Sequence, residues 1–302
     1  MFGSQLHNQR TSWNAILATL QMMESGRWTN AWFFDHFIPP WGFTAEVRDH
    51  DGFDTFEGWS LLCAAAAATS RLKLGVLVTG NTYRNPALLA KMVATVDHIS
   101  NGRAILGIGA GWNIREHEAY GWDFPSMRER SDRLEEACAL IKTLFSADGL
   151  VDFEGRYYRL QQAPFAPKCV QIPHVPIMVG GMGEKRTLKT LAMYGDIMNV
   201  MVGPDEVKRL SGVLEQHGEI VGRDPGEIAR TVHVPMRIEN DEVKAARLRN
   251  GRDWMMIGPK NYVIDRAADF IEAGVTGFGL QSIPNKPEIY DELDREVLSA
   301  FD

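Results

Sequence analysis

The stretch "LKLGVLVTGNTYRNPALLAKMVATVDHISNGRAILGIGAG", residues 72–111, decides how the chain is read. It opens on an apolar, β-rich run from Leu72 to Thr79 and crosses a short polar turn. A segment with helical spacing follows, in which Leu88, Leu89, Met92, Val93 and Val96 fall on one face and Pro86 takes a first-turn position. A second apolar run, Ala104 to Ile108, closes the unit. Strands apolar on both faces and joined by a helix imply parallel pairing under a cover of helices.

The same pattern recurs outward in both directions. Strands are predicted at Phe2 to Leu6, Ala31 to Phe37, Leu72 to Thr79, Ala104 to Ile108, Pro176 to Val179, Ile197 to Met201, Val232 to Ile238 and Gly277 to Leu280. Helical segments lie between them, such as "WNAILATLQMMES" after Thr11-Ser12. Eight strand-helix units predict an α/β protein that closes into a (β/α)8 TIM barrel, and 302 residues fit one such domain. An open doubly wound sheet is the alternative. Two connections exceed the ordinary length and predict insertions at the C-terminal face. One is "IPPWGFTAEVRDHDGFDTFEG", residues 38–58, read as a lid; the other spans 147–175 and contains strand-like "GRYYRL" followed by three prolines.

Composition narrows the function. Hydrophobic residues make up 45% of the chain, charged residues 24%, and the net charge is -7. No Lys/Arg cluster offers a track for nucleic-acid phosphates, so no nucleic-acid partner is expected. No apolar run reaches the roughly 18 residues that span a bilayer, and the start "MFGSQLHNQR" lacks the pattern of a leader, which predicts a cytoplasmic protein with no membrane partner. Cys63, Cys138 and Cys169 are too scattered for a disulfide framework or a zinc site.

Three motifs stand at predicted strand ends. "NAWFFDHF", residues 30–37, ends an apolar run on Asp35-His36. The C-terminal rim of a barrel is where chemistry is built, and histidine exchanges a proton near neutrality, although an Asp-His pair also ends strands by bonding nearby backbone. "LGIGAGW" carries Gly107, Gly109 and Gly111, but Trp112 stands where a dinucleotide fingerprint needs its last glycine. It reads either as a tight barrel turn or as a turn packed against a ligand. "VGGMGEKRT" offers Gly180, Gly181, Met182 and Gly183 at a helix start, with Lys185 and Arg186 adding charge: a phosphate site, or a turn that is merely tight.

Other motifs fail on spacing. "EHEAY", Glu116 to Tyr120, lacks the second histidine of a zinc protease, so no metal is expected, and no G-x-S-x-G elbow occurs. A glycosidase would need facing carboxylates at strand ends, and only Asp35 is placed there.

The order "DHF", then residues 71–121 ending in "EHEAYG", then "FEGRYYRL" and "VGGMGEKRTL" resembles the luciferase-like monooxygenase superfamily over roughly residues 30–280. It is most similar to the branch of oxidoreductases using coenzyme F420, a deazaflavin. The resemblance implies a cofactor ring at the C-terminal mouth of the barrel and its phosphate near the fifth strand. By the same resemblance Leu77 and Val78 form a bulge with a non-prolyl cis peptide beneath the ring, and Thr79 lies near the ring's polar edge. Gly109 and Gly111 pass beside the cofactor's side chain, and Gly180, Gly181, Met182, Gly183 and Lys185 hold its phosphate. His36 is implied as the catalytic or ring-facing residue with Asp35 orienting it, and Trp41, Trp112 and Asn113 line the substrate side.

The implied function is hydride transfer between F420 and a small-molecule substrate, in a homodimer served by a separate reductase that supplies reduced cofactor. Two alternatives remain: an FMN-dependent monooxygenase using reduced flavin and oxygen, and a non-catalytic barrel that only binds a flavin.

Overall fold

A computed structural model of the chain describes residues 1–40 and 54–302. In chain order it runs β1 (Phe2–Gln5), α1 (Trp13–Ser25), β2 (Asn30–Phe33), α2 (Gly58–Ala68), β3 (Lys73–Val76), β4 (Thr79–Gly80), α3 (Pro86–Ile99) and β5 (Ala104–Gly109). Then come α4 (Ile114–Tyr120), α5 (Met127–Ser146), the ribbon β6 (Leu150–Glu154) and β7 (Arg159–Pro164), β8 (Ile177–Gly180), α6 (Thr187–Tyr194) and β9 (Ile197–Val200). The chain ends with α7 (Pro204–Val221), β10 (Ala229–Ile238), α8 (Glu242–Arg249), β11 (Met256–Gly258), α9 (Lys260–Glu272), β12 (Gly277–Gln281) and α10 (Pro287–Glu296).

The strands close into a ring. β1 pairs in parallel with both β2 and β12, β2 with β3, β3 and its continuation β4 with β5, β5 with β8, β8 with β9, and β10 with β9 and β12. Closure excludes the open doubly wound sheet, since neither β1 nor β12 is an edge. All eight strands expected from the sequence are staves of this barrel. β11, which adds to β10, was not expected: three residues are too few for a periodic signal.

Alternation along each strand sorts side chains to two sides. On β2, Ala31 and Phe33 are fully buried in the main apolar core that includes α1 and α2 residues. Trp32, between them, packs in a separate cluster with Leu77, Ile105 and Met178 that fills the barrel. Glycines make room for it: a Cβ on Gly75 would approach the Trp32 ring to 2.6 Å. The helices begin as their sequences suggest, with Ser12 accepting the Ala15 N–H ahead of α1 and Asn85 accepting the Ala87 N–H ahead of Pro86 in α3.

Some expectations shift. In α3, Leu89, Val93 and Val96 are buried but Leu88 is 56% exposed, because the buried face is narrower than the apolar stripe. "GRYYRL" straddles the β6–β7 turn and only enters β7 at Arg159; its backbone is turned by Glu136 of α5, which accepts the N–H groups of Arg156, Tyr157 and Tyr158. β2 stops at Phe33, four residues short of the predicted end, so Asp35 and His36 stand in the turn just past it. Residues 41–53 of the expected lid lie outside the described residues. Among the described residues no helix is long and apolar enough to cross a membrane, and no cluster could hold a metal ion.

Candidate active site

The C-terminal rim gathers the turn after β2, the β3–β4 break, the turns after β4 and β5, and the turn between β8 and α6. The β3–β4 break is a non-prolyl cis peptide between Leu77 and Val78, at the position implied by the resemblance. The Leu77 N–H donates to the Phe33 carbonyl at 2.7 Å, and its own carbonyl accepts from Gln5 Nε2 at 2.9 Å. Thr79 Oγ1 accepts from the Trp59 indole at 2.8 Å. Val78 lies between two glycines, since a Cβ on Gly109 would meet it at 3.0 Å and one on Gly180 at 2.8 Å. The apolar Leu77 and Val78 make a floor at this break, whereas Thr79 beside them is fully buried against Trp59.

His36 stands at the edge of that floor, 15% exposed. Its Nδ1 lies 2.9 Å from Glu116 Oε2, and its ring meets that of Trp112 edge-on at 5.3 Å between centroids. Glu116, on α4, is completely buried, yet its carboxyl is held below the usual range: burial alone would raise it, but hydrogen bonds from His36, Tyr83 and the Phe37 backbone outweigh this. The Glu116 carboxylate is therefore ionised and only accepts. Nδ1 of His36 must carry a proton, which leaves Nε2 free to take up or release one.

Asp35 does not orient His36, contrary to the expectation from sequence. Its carboxylate is gripped by Arg84, with contacts of 2.7 and 3.1 Å, and Arg84 also binds Glu57 at 2.7 Å. Burial pushes the Asp35 carboxyl up, and Arg84 opposes this. Adjacent residues past a strand end point in different directions, so Asp35 faces the helices and His36 the mouth. Glu57 also caps α2, which makes Arg84 a clamp between the β2 turn and that helix.

Trp112 is 53% exposed at the rim, whereas Asn113 is buried and its carbonyl accepts from His117 Nδ1 at 2.8 Å. Trp41 lies outside the described residues. Gly111 has φ +78, and a Cβ there would meet Thr82 Oγ1 at 2.7 Å, so this turn requires glycine. Gly180 ends β8, and Gly181, Met182 and Gly183 run exposed to the start of α6, where Lys185 is also exposed. The helix has no side-chain cap. The Leu188 N–H, in its first turn, donates to the Gly183 carbonyl at 3.0 Å, and the Gly181 N–H donates to the Asn199 carbonyl at 3.3 Å, so the exposed backbone from Met182 to Lys185 is what the turn offers an anion. Arg186 is turned away from this loop and pairs with Asp132 of α5.

Sequence reasoning missed Glu116, Tyr83, Arg84 and Glu57. The signal for Glu116 was "EHEAY", which fails as a zinc motif but places an acid in the first turn of a short helix beside a strand end.

A barrel with a histidine-carboxylate pair at the mouth and a glycine turn at a helix start belongs to the large class of barrels that act at their strand ends. Solved structures share its fold. An F420-dependent secondary alcohol dehydrogenase in complex with an F420-acetone adduct superposes with a TM-score of 0.85 at 22% identity, covering 100% of this chain and 99% of that one. A monooxygenase, RslO1 from Streptomyces bottropensis, superposes at 0.81 with 17% identity, covering 100% of both chains. The model of the luciferase-like monooxygenase family matches residues 1–273, and the chain belongs to that family. An F420-dependent glucose-6-phosphate dehydrogenase of Kineococcus radiotolerans is 37% identical over 229 residues, 74% of this chain and 64% of the relative. A protein of the same description from Nocardia farcinica is 38% identical over 248 residues, 80% of this chain and 67% of the relative. The match therefore spans about two thirds of these curated relatives.

Proposed function

We propose that the protein is an F420-dependent oxidoreductase that moves a hydride between the deazaflavin and a small organic substrate. The observation that carries this reading is the His36–Glu116 pair at the mouth of the barrel, with one imidazole nitrogen left available.

The residues fit such a cofactor. The exposed glycine backbone at the uncapped start of α6 suits its phosphate, and the apolar Leu77 and Val78 suit the face of a ring, with Thr79 buried behind them on Trp59. Gly109 and Gly111, whose missing Cβ atoms make way for Val78 and Thr82, keep the turn beside the mouth tight, and Lys185 adds charge beside the phosphate turn. When bound, the deazaflavin supplies a two-electron hydride donor or acceptor at its C5.

The chain's own contribution is positional and electrostatic. Glu116 accepts the Nδ1 proton of His36, so Nε2 is the nitrogen that takes the proton a substrate hydroxyl loses, or returns it to a carbonyl oxygen in the reverse direction. Trp112, edge-on to His36 and half exposed, offers an apolar wall on the substrate side. The reading extends to a homodimer served by a separate reductase. It also extends to a cytoplasmic setting, in keeping with three cysteines that remain free thiols.

Titrating cofactor-free protein with F420 and with FMN, followed by fluorescence, tests the reading. Saturable F420 binding with little or none of FMN is expected; tight FMN binding with none of F420 overturns it in favour of an oxygen-using flavin enzyme.

A further inference from the structure

Glu116 Oε2 is a shared acceptor. It takes the His36 Nδ1–H at 2.9 Å and the Tyr83 hydroxyl at 2.6 Å, while Oε1 takes the backbone N–H groups of Phe37 at 2.7 Å and Ile38 at 3.3 Å. The Tyr83 ring is held independently of its hydroxyl. It stacks on His117 at 5.1 Å between centroids and meets the edges of Phe37 and Trp122 at 5.2 and 5.5 Å. The hydroxyl thus makes its contact with the carboxylate that orients His36, and it lies within a cage that would stand without it.

We propose that Tyr83 is a positioning residue that sets how strongly Glu116 retains a proton on His36, by drawing charge from the same carboxylate oxygen. Two donors on one oxygen compete for its negative charge, and each weakens its pull on the other. Tyr83 is fixed as a donor, since burial and the Glu116 carboxylate push its phenol far above the ordinary range. It therefore donates constantly to the oxygen that also accepts from His36. Asp35 and Glu57, also near the pair, are both held by Arg84. His117 lies behind Tyr83, bonded to the Asn113 carbonyl and to Thr82 Oγ1, and Trp112 and Phe34 meet the His36 ring with their own rings.

The functional meaning of this tuning rests on the reading of His36 given above, but its test does not involve the cofactor. Histidine-labelled, cofactor-free protein is titrated by NMR, with the His36 signal assigned by its loss in His36→Gln. In Tyr83→Phe the His36 midpoint is expected above that of the unsubstituted protein by about 0.5 pH unit, and in Glu116→Gln below it. Replacing Tyr83 with 3,5-difluorotyrosine, a stronger donor of the same shape, is expected to move the midpoint down. An unchanged or lowered midpoint in folded Tyr83→Phe overturns the proposal, as does an unchanged midpoint with the fluorinated residue. A shift seen in a protein that fails to bind F420 upholds the tuning while removing the cofactor reading, so the two failures are distinguishable.

Discussion

His36 Nδ1 and Glu116 Oε2 lie 2.9 Å apart although 80 residues separate them in the chain. Glu116 is the group that fixes the tautomer of His36, so Glu116→Gln, which can neither stabilise the imidazolium nor enforce that tautomer, is expected to lower kcat by about 100-fold or more. F420 affinity should change little, because Glu116 lies behind His36. Steady-state kinetics beside a fluorescence titration checks this, and a variant that loses binding but not kcat contradicts it.

His36→Ala is expected to abolish turnover and retain cofactor binding within about a few-fold, since the phosphate turn and the apolar floor are untouched. Retained turnover would remove His36 from the mechanism.

Acid should narrow the stability gap between the unsubstituted protein and Glu116→Gln. The Glu116 carboxyl is depressed in the fold relative to its ordinary value of 4.5. A depressed carboxyl stabilises the fold fully above its unfolded value, and that stability is lost as pH falls towards the folded value. Urea unfolding at pH 7 and at steps below 4.5 should show the gap closing only in the acid range.

Arg84→Met removes the partner of a carboxylate that is almost wholly buried. Leaving Asp35 uncompensated is expected to cost about 3–5 kcal/mol at neutral pH. Burial already raises the Asp35 carboxyl, and loss of the guanidinium raises it further, so acid that protonates it should recover part of the loss. Urea unfolding at pH 7 and pH 5 measures both effects.

Gly180→Ala places a Cβ 2.8 Å from one Val78 methyl and 3.0 Å from the other. Overpacking of this kind costs about 1–3 kcal/mol. The shift falls on the floor of the mouth and the start of the phosphate turn, so F420 affinity should fall by about 10-fold or more, measured by fluorescence titration. Stability loss with unchanged affinity would separate the glycine from the cofactor site.

The alternation of apolar runs with helical spacing was enough to place eight strands, because burial on both faces leaves a mark in every stave. Residues 72–111 alone imply a parallel unit, and closure follows from the count. The strand-end position of His36 and the glycine turns were legible for the same reason: they follow directly in sequence from apolar runs. What sequence could not assign was who partners whom. Asp35 is next to His36 in the chain and was taken as its partner, yet the backbone turns after Phe33 and sends the two side chains to different places. Arg84 claims Asp35, and Glu116 reaches His36 because pairing of β3 and β4 with β5 brings the turn before α4 beside the turn after β2. Periodicity is a local property of the chain and is written in its order. Hydrogen-bond partners across a barrel rim are set by strand register and closure, which exist only once the eight staves have met.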